Sequence, residues 1–242
     1  RRGRPALVRA SGPDALETLR ACARAEGALF HDGGSELCVS VRGTSLEETL
    51  FEVRTPHRSA ELATPLPGAH QAWNAALAVR AAELLADSGF SLAPESLARG
   101  VASVRWPGRI EKLSVRGRTV LLDGCHNADA AASLAQFLED ASLAGRCELV
   151  FGAMADKDIE TMARLLFPLA AGVTLVTAPS ARAATASEIA RRTEPSRQGA
   201  AQMESVREAL EALLARDGGD PIIVAGSLYL VGEAREWLLA GY

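Results

Sequence analysis

Residues 121–127 read LLDGCHN: a hydrophobic run ends in Asp-Gly and is followed by His-Asn just before a helical segment. This sequence predicts a buried strand whose carboxyl end carries a carboxylate, an imidazole and an amide, close to the N-terminus of the next helix. Folds built on parallel sheets place their ligands at that position. The stretch therefore predicts an α/β fold with a candidate ligand site beside Asp123.

Strand and helix patterns alternate around this stretch, from residue 107 to the C-terminus. The predicted strands are residues 119–122, 147–151, 173–177, 201–203 and 222–225, and the predicted helices are residues 130–144, 159–170, 187–193, 206–215 and 228–240. Continuous Val/Ile/Leu runs between amphipathic helices indicate a Rossmann-like, mostly parallel sheet with helices on both faces. Residues 110–115 and 119–122 predict an antiparallel hairpin at the edge of this sheet.

The first 106 residues show a different pattern, and we place a domain boundary at Trp106-Pro107-Gly108. A helix is expected to open at residues 11–14, with Ser11 as its cap, and is followed by a strand at residues 28–30. Residues 36–41 and 48–53 predict two antiparallel strands, and residues 70–87 predict an amphipathic helix that carries Asn74 one residue off its apolar stripe.

Composition excludes several classes of function. The formal net charge of −4 offers no basic surface to a nucleic acid, and the apolar runs fall short of the roughly 20 residues that cross a bilayer. No secretory signal pattern is present, so we expect a cytoplasmic protein. The four cysteines, at positions 22, 38, 125 and 147, have no C-x-x-C spacing and predict reduced thiols rather than disulfides or a zinc site.

The residues at the end of the LLDGCHN strand allow more than one interpretation. Asp123 could accept hydrogen bonds from ribose hydroxyls or hold a metal-bound water, or it could simply cap the following helix. His126 could orient an anionic substrate or transfer a proton near neutral pH, or it could only bond to the turn backbone. A thiol nucleophile at Cys125 is disfavoured, because adjacent residues point apart and no third orienting group is identifiable.

Other loops carry further candidates. Arg109 could clamp a phosphate or pair with Glu111, and Lys157 could meet a substrate carboxylate or form part of a solvated cap. Gly226 and Ser227 offer backbone amides and a hydroxyl at a helix N-terminus. The loops around residues 123, 152, 178 and 226 all follow parallel strands, so we expect them to converge on one edge of the sheet.

Five ordered segments resemble those of the folylpolyglutamate synthase and dihydrofolate synthase family of the Mur ligase superfamily. Residues 68–78, GAHQAWNAALA, resemble the family's G-x-H-Q-x-x-N-A-A-L-A, residues 106–111, WPGRIE, its P-G-R-x-E, and residues 122–127, LDGCHN, its L-D-G-A-H-N. Residues 152–158, GAMADKD, and 226–232, GSLYLVG, resemble the remaining two. The resemblance covers essentially the whole chain, and the first and last segments favour the folate branch over the peptidoglycan ligases.

The resemblance implies that residues 1–106 are the C-terminal part of an ATP-binding domain and residues 107–242 a Rossmann-like C-terminal domain. It implies an ATP-dependent ligase that converts the carboxylate of dihydropteroate or a folate to an acyl phosphate, which the amine of L-glutamate attacks. By the same resemblance Asp123 and His126 are the catalytic candidates. By the resemblance ATP would contact Asn74, Arg109 and Asp123, and glutamate would contact His126 and Ser227. Lys157 is added to the glutamate-binding candidates because it lies on a loop that follows a predicted strand.

Two departures from the family pattern are small: Cys125 replaces an Ala, and Ala128-Asp129 replaces a Pro. A larger one is that the family's G-x-x-G-K-[ST] loop, its Mg²⁺ ligands and its modified lysine all belong upstream of Arg1. We therefore expect no ligase turnover from these residues alone, and a monomer at full length. Two alternatives stay open: a non-catalytic module that binds a nucleotide or metabolite, and a peptidoglycan-type Mur ligase.

Overall fold

The computed structural model describes residues 2–10, 12–194, 196, 199–216 and 218–241. The chain forms two compact units. The first comprises Arg1–Thr44, Glu48–Pro65 and Ala69–Val104, and the second comprises Ser45–Glu47, Leu66–Gly68 and Arg105–Tyr242. Across the described ranges, every helix falls short of the length and apolar character that crossing a membrane needs.

The first unit combines two small sheets with one long helix. Its elements are β1 (Pro5–Val8), α1 (Pro13–Ala25), β2 (Leu29–Asp32), α2 (Gly33–Glu36), β3 (Cys38–Thr44), β4 (Thr49–Arg54), β5 (Ser59–Thr64), α3 (Ala69–Asp87) and α4 (Pro94–Ser103). β1 and β2 pair in parallel, and β3, β4 and β5 form an antiparallel sheet in chain order. Phe51 and Val53 on β4 pack with Ala72, Ala76 and Val79 on α3 to form the core.

Helix α3 also buries charge. The Arg80 Nε donates to Glu36 Oε2 at 2.8 Å, and Glu83 Oε1 accepts from Arg58 Nε at 2.9 Å. The Arg80 and Glu83 side chains are almost fully buried, and each has an ionic partner, as buried charges require. These pairs join α3 to α2 and to the turn between β4 and β5.

Sequence patterns predicted only part of this unit. The two antiparallel strands are present as β3 and β4, and the long helix is present as α3, whereas β1, β5 and α2 were not predicted. Helix α1 begins at Pro13, and Gly12 is its N-cap residue. Ser11, the expected cap, lies outside the described residues.

The second unit is an α/β layer structure. Its elements are β6 (Glu111–Val115), β7 (Arg118–Asp123), α5 (Ala128–Asp140), β8 (Glu148–Phe151), α6 (Ile159–Leu166), β9 (Gly172–Val176), α7 (Ala186–Thr193), β10 (Ala201–Met203), α8 (Val206–Leu214), β11 (Ile222–Ala225) and α9 (Leu228–Leu239). The six strands lie in the order β10-β9-β8-β11-β7-β6. All neighbouring pairs are parallel except the β6–β7 hairpin, which confirms the predicted sheet.

Both faces of this sheet are covered. Leu121, Leu149 and Ile223 point to one face and pack with residues of α5, α6 and α7, whereas Val120 and Val150 point to the other and pack with α8 and α9. Alternate residues of one strand face opposite sides, so strands buried on both sides need the continuous apolar runs seen in the sequence. The predicted helices on both faces are therefore confirmed.

Two boundaries differ from the prediction for local reasons. Helix α6 ends at Leu166 instead of residue 170, and a 3-10 turn, Phe167–Leu169, follows it, because Pro168 cannot continue the α-helical hydrogen bonds. Strand β6 begins at Glu111 rather than Ile110, because Ile110 has a φ of 49°. That angle lies outside the range of extended strands.

Candidate functional site

Three loops follow adjacent parallel strands at the carboxyl edge of the second unit's sheet. They are residues 124–127 after β7, residues 152–158 after β8 and residues 226–227 after β11. β11 lies between β7 and β8, so its loop lies between the other two. Four of the predicted site residues lie at the end of β7 or on these loops: Asp123, His126, Lys157 and Ser227.

Three glycines on these loops pack closely against neighbouring segments. A Cβ atom at Gly124 would lie 2.3 Å from Leu228 Cδ2, and one at Gly226 would lie 2.7 Å from the Gly152 carbonyl oxygen. A Cβ atom at Gly152 would lie 2.7 Å from the Val176 carbonyl oxygen. No side chain fits at these three positions without displacing its neighbours.

The Asp123 carboxylate connects two backbone segments. Its Oδ2 accepts from the Ile110 N–H at 3.0 Å and its Oδ1 accepts from the Cys125 N–H at 2.9 Å. The residue is 5% exposed, and burial raises the pKa of its carboxyl from 3.8 to about 6, although the two backbone bonds and the nearby Arg109 charge act in the opposite direction. Asp123 is therefore not a cap of α5. Each oxygen keeps further lone-pair capacity for a ligand hydroxyl.

Ile110 has a left-handed backbone conformation, with a φ of 49°. This is a rare state for a β-branched residue and costs about 1–3 kcal/mol. The hydrogen bond from its N–H to Asp123 Oδ2 and its complete burial hold it there. Strain of this kind, stored next to Arg109, is typical of functional loops.

Arg109 does not pair with Glu111, so the simpler alternative from the sequence is wrong. Glu111 Oε2 accepts from the Gly108 N–H at 2.9 Å, and Arg235 Nε on α9 donates to both Glu111 oxygens at 2.9 Å. Within the described ranges, no hydrogen bond or ion pair occupies the half-buried Arg109 guanidinium, and its charge acts on Asp123 from a distance. It is therefore available to an anionic ligand.

Cys125 is a packing residue. Its thiol is fully buried, accepts a hydrogen bond from the Gly226 N–H, and has its pKa raised far above the ordinary range, first by burial and then by the Asp123 charge. A reactive cysteine needs an accessible thiolate. The structure therefore supports the prediction that Cys125 is not a nucleophile.

His126 bonds to the turn backbone and still leaves one nitrogen for chemistry. Its Nδ1 lies 3.0 Å from the Gly124 carbonyl oxygen. A carbonyl oxygen only accepts, so this bond assigns the proton to Nδ1 and leaves a lone pair on Nε2 in the neutral ring. The half-buried ring can therefore accept a proton at Nε2.

Asn127 is the N-cap residue of α5, where its Oδ1 accepts from the Ala130 N–H at 2.8 Å. We expect Asn127→Ala to lower the free energy of unfolding by about 1 kcal/mol, because this N–H would lose its partner. Asn127→Asp retains the acceptor and should stay within about 0.5 kcal/mol of the wild type. Urea unfolding measures both, and equal losses for the two variants would contradict the capping role.

Lys157 and Ser227 lie on the loops after β8 and β11. The Lys157 side chain is 36% exposed, and its Nζ lies 3.6 Å from Asp156 Oδ2. Ser227 is the N-cap residue of α9, where its Oγ accepts from the Tyr229 N–H at 3.2 Å, and the residue is almost fully buried. The Ser227 hydroxyl hydrogen remains free to be donated to a ligand.

Asn74 belongs to the first unit, on α3, where its Nδ2 donates to Gln71 Oε1 at 3.0 Å. Arg235 and Arg192 were not predicted as site residues. Arg235 on α9 bonds to Glu111 on β6, and Arg192 on α7 bonds to the backbone of the loop after β8. Neither residue carries a local signal, since both act on segments distant in the chain.

Among the described side chains, no group of three or more His, Cys, Asp or Glu residues could hold a metal ion.

Comparison with known proteins gives consistent matches. A family described as Mur ligase, glutamate ligase domain, matches residues 108–228. The dihydrofolate synthase/folylpolyglutamate synthase of Bacillus subtilis (strain 168) is 29% identical over 243 residues, which cover 98% of this chain and 55% of that protein. The UDP-N-acetylmuramyl-tripeptide synthetase of Leifsonia xyli is 40% identical over 133 residues, which cover 51% of this chain and 25% of that protein.

A solved structure has the same fold. The Mycobacterium tuberculosis folylpolyglutamate synthase complexed with ADP has a TM-score of 0.87 and 26% identity, covering 97% of this chain and 55% of that one. The chain spans about half, or less, of the length of the curated relatives it matches.

Proposed function

This chain belongs to the Mur ligase family, and from that premise we propose that it forms the glutamate-binding part of an ATP-dependent, amide-forming ligase. The proposed reaction joins L-glutamate to dihydropteroate, to a folate polyglutamate, or to both. The Bacillus subtilis dihydrofolate synthase/folylpolyglutamate synthase and the Mycobacterium tuberculosis folylpolyglutamate synthase support this choice, because they align with 98% and 97% of this chain.

The observation that carries the proposal is the meeting of three loops at one sheet edge. The loops that carry His126, Lys157 and Ser227 follow neighbouring strands. Gly226 packs against the Gly152 carbonyl oxygen, and its N–H donates to the Cys125 thiol, so the loop after β11 contacts the other two. A cation, a proton acceptor and a hydroxyl donor are the groups needed to bind an amino acid by its carboxylate while its amine loses a proton.

Each residue has a proposed task. Lys157 pairs with a glutamate carboxylate, Ser227 donates a hydrogen bond to it, and His126 Nε2 accepts the proton that the amine releases on attacking the acyl phosphate. Arg109 stabilises the charge on the phosphoryl group, as a guanidinium free of other partners can do. Asp123 holds the Arg109 loop in place and accepts from an ATP hydroxyl.

ATP supplies the phosphoryl group that activates the carboxylate, with Asn74, Arg109 and Asp123 as its proposed contacts in this chain. We propose that Mg²⁺ accompanies the ATP and that its protein ligands correspond to the part of the longer relatives that this chain does not cover. For the same reason we expect no turnover by the 242 residues alone. ADP release by the purified chain in the presence of ATP, glutamate and dihydropteroate would contradict that expectation.

Binding of L-glutamate by the chain itself tests the proposal. The chain has two lysines, which provide a matched pair of variants. We expect Lys157→Ala to weaken glutamate binding at least about tenfold, through loss of a charge-assisted contact, and Lys112→Ala to leave it unchanged. Titration followed by amide chemical shifts gives both affinities. Equal effects of the two substitutions would overturn the assignment of Lys157.

A peptidoglycan-type ligase is the second candidate, because the Leifsonia xyli tripeptide synthetase has 40% identity over half of this chain. The two candidates differ in the amino acid that the second unit would bind, since a relative from Corynebacterium efficiens, 33% identical over 84% of this chain, is named as a 2,6-diaminopimelate ligase. Titration with L-glutamate and with 2,6-diaminopimelate therefore separates them. Binding of diaminopimelate in preference to glutamate would favour the peptidoglycan branch.

A further inference from the structure

Arg192 lies on α7, outside every sequence segment that suggested a function, and its guanidinium contacts the backbone of the loop that carries Lys157. Its Nη1 donates to the Ala155 carbonyl oxygen and its Nη2 to the Lys157 carbonyl oxygen, both at 3.0 Å. Glu160 on α6 completes the arrangement, because its two oxygens accept from Arg192 Nε at 2.7 Å and Nη2 at 2.9 Å.

These contacts are stronger than those of an ordinary surface ion pair. The guanidinium pairs with one carboxylate through two parallel bonds and uses its remaining donors on two carbonyl groups of one loop. Hydrogen bonding to Arg192 lowers the pKa of Glu160 to about 2, so the carboxylate stays charged near neutral pH. Arg192 is about three-quarters buried.

Backbone hydrogen bonds also hold this loop, and none of them involves the Lys157 side chain. The Ala155 N–H donates to the Arg182 carbonyl oxygen at 2.8 Å, and the Lys157 N–H donates to the Met154 carbonyl oxygen at 3.1 Å. Among the described residues, the Lys157 carbonyl oxygen accepts from two donors, Arg192 Nη2 at 3.0 Å and the Ile159 N–H at 2.9 Å. Arg192 therefore shares the fixing of the Lys157 backbone with Ile159, and it alone of the two ties that backbone to α7.

We propose that Arg192 is a positioning residue for amino-acid binding: it fixes the backbone of Lys157 so that the ammonium group meets a substrate carboxylate. The inference rests on the proposed function, since it assumes that Lys157 binds glutamate. Arg192 lies on a different helix from the proposed substrate-binding residues. In this inference it does not contact the substrate, because its guanidinium already bonds to Glu160 and to two carbonyl groups.

Three variants separate geometry from charge. Arg192→Gln removes both the charge and the planar donors, whereas Arg192→Lys keeps the charge and loses the planar geometry. Arg164→Gln on α6 removes one charge from a residue whose guanidinium donates to Thr161 Oγ1 rather than to the loop. We expect both Arg192 variants to weaken L-glutamate binding about tenfold, because small displacements of a binding group are costly, and Arg164→Gln to have no effect.

Hydrogen exchange of the Lys157 amide supplies a second measurement that needs no ligand. We expect it to become at least about tenfold faster in Arg192→Lys than in the wild type, because the loop opens more often. If the wild type binds glutamate and Arg192→Lys binds it equally well, the inference is wrong and the proposed function stands. If the wild type does not bind glutamate, the proposed function fails and the inference fails with it.

Discussion

Replacing Gly226 by Ala is expected to lower the free energy of unfolding of the second unit by roughly 4 kcal/mol, the sum of a backbone and a packing penalty. Gly226 has a φ of 111°, which L-residues rarely adopt. A Cβ atom there would also lie 2.7 Å from the Gly152 carbonyl oxygen and 2.8 Å from Phe151 Cε2. The Phe151 ring is fully buried and packs edge-on against Phe167, so its displacement would disturb the core.

Gly232→Ala is the matched control, six positions along the same segment. Gly232 lies within α9, and a Cβ atom there would have no neighbour within 4 Å. Alanine in a helix interior should raise stability by about 0.5–1 kcal/mol. The same substitution is therefore expected to have opposite signs at the two glycines.

Urea unfolding followed by tryptophan fluorescence measures both variants. A Trp73→Phe background confines the signal to the second unit, because Trp106 and Trp237 both belong to it. Unchanged m-values would show that the variants alter stability and not the extent of unfolding. A loss below about 1 kcal/mol for Gly226→Ala would mean that the loops after β8 and β11 can separate, and the close packing of Gly226 against Gly152 and Phe151 would be refuted.

The sheet of the second unit was predictable because its strands are buried on both faces. Apolar runs such as residues 222–225 leave few alternatives, and amphipathic helices between them require parallel crossovers. β1 and β5 in the first unit were not predicted. β1, Pro5–Val8, has only four residues and pairs with β2, 24 positions away; β5, Ser59–Thr64, follows β4 after a four-residue turn but has few of the β-branched and aromatic residues typical of strands. Partner strands, rather than local propensity, determine such segments.

The candidate site shows the same division between local and distant information. Asp123, His126, Lys157 and Ser227 could be selected because each closely follows a recognisable strand. Nothing local predicts that Glu111 pairs with Arg235, a residue 124 positions away, or that Arg192 bonds to the backbone of the Lys157 loop. The sequence around a charged helical residue is the same whether its side chain faces solvent or bonds to a distant loop.

Asp123 should give the second unit a pH dependence of a sign unusual for a carboxylate. Its pKa in the folded protein is raised to about 6, above the ordinary 3.8, so between these values the folded state binds a proton that the unfolded state has released. Stability from this group is therefore fully present below about pH 4 and is lost as the pH rises to about 6. The loss approaches about 3 kcal/mol, at 1.36 kcal/mol for each pH unit of the shift.

Asp123→Asn isolates this contribution, because the amide cannot titrate and other groups cancel in the difference from the wild type. We expect the wild-type stability minus that of Asp123→Asn to fall by about 3 kcal/mol between pH 4 and pH 7. Unfolding in the Trp73→Phe background at several pH values measures it. A difference that stays flat across this range would mean that Asp123 is not a desolvated acid.

Asp158→Asn serves as the control: the wild-type stability minus that of this variant should stay nearly flat between pH 4 and pH 7 and should fall only as the pH drops below about 4. Asp158 caps α6 at the surface, and its hydrogen bonds with Thr161 lower the pKa of its carboxyl. Its contribution is therefore present above the ordinary pKa and lost as the pH falls. The exposed Asp158 carboxylate accepts from a helix-end N–H, and its charge stabilises the folded state. The Asp123 carboxylate is instead destabilised by burial as an anion near neutral pH. It is retained because it accepts from the N–H groups of Ile110 and Cys125 and so keeps the Arg109 loop in its strained conformation.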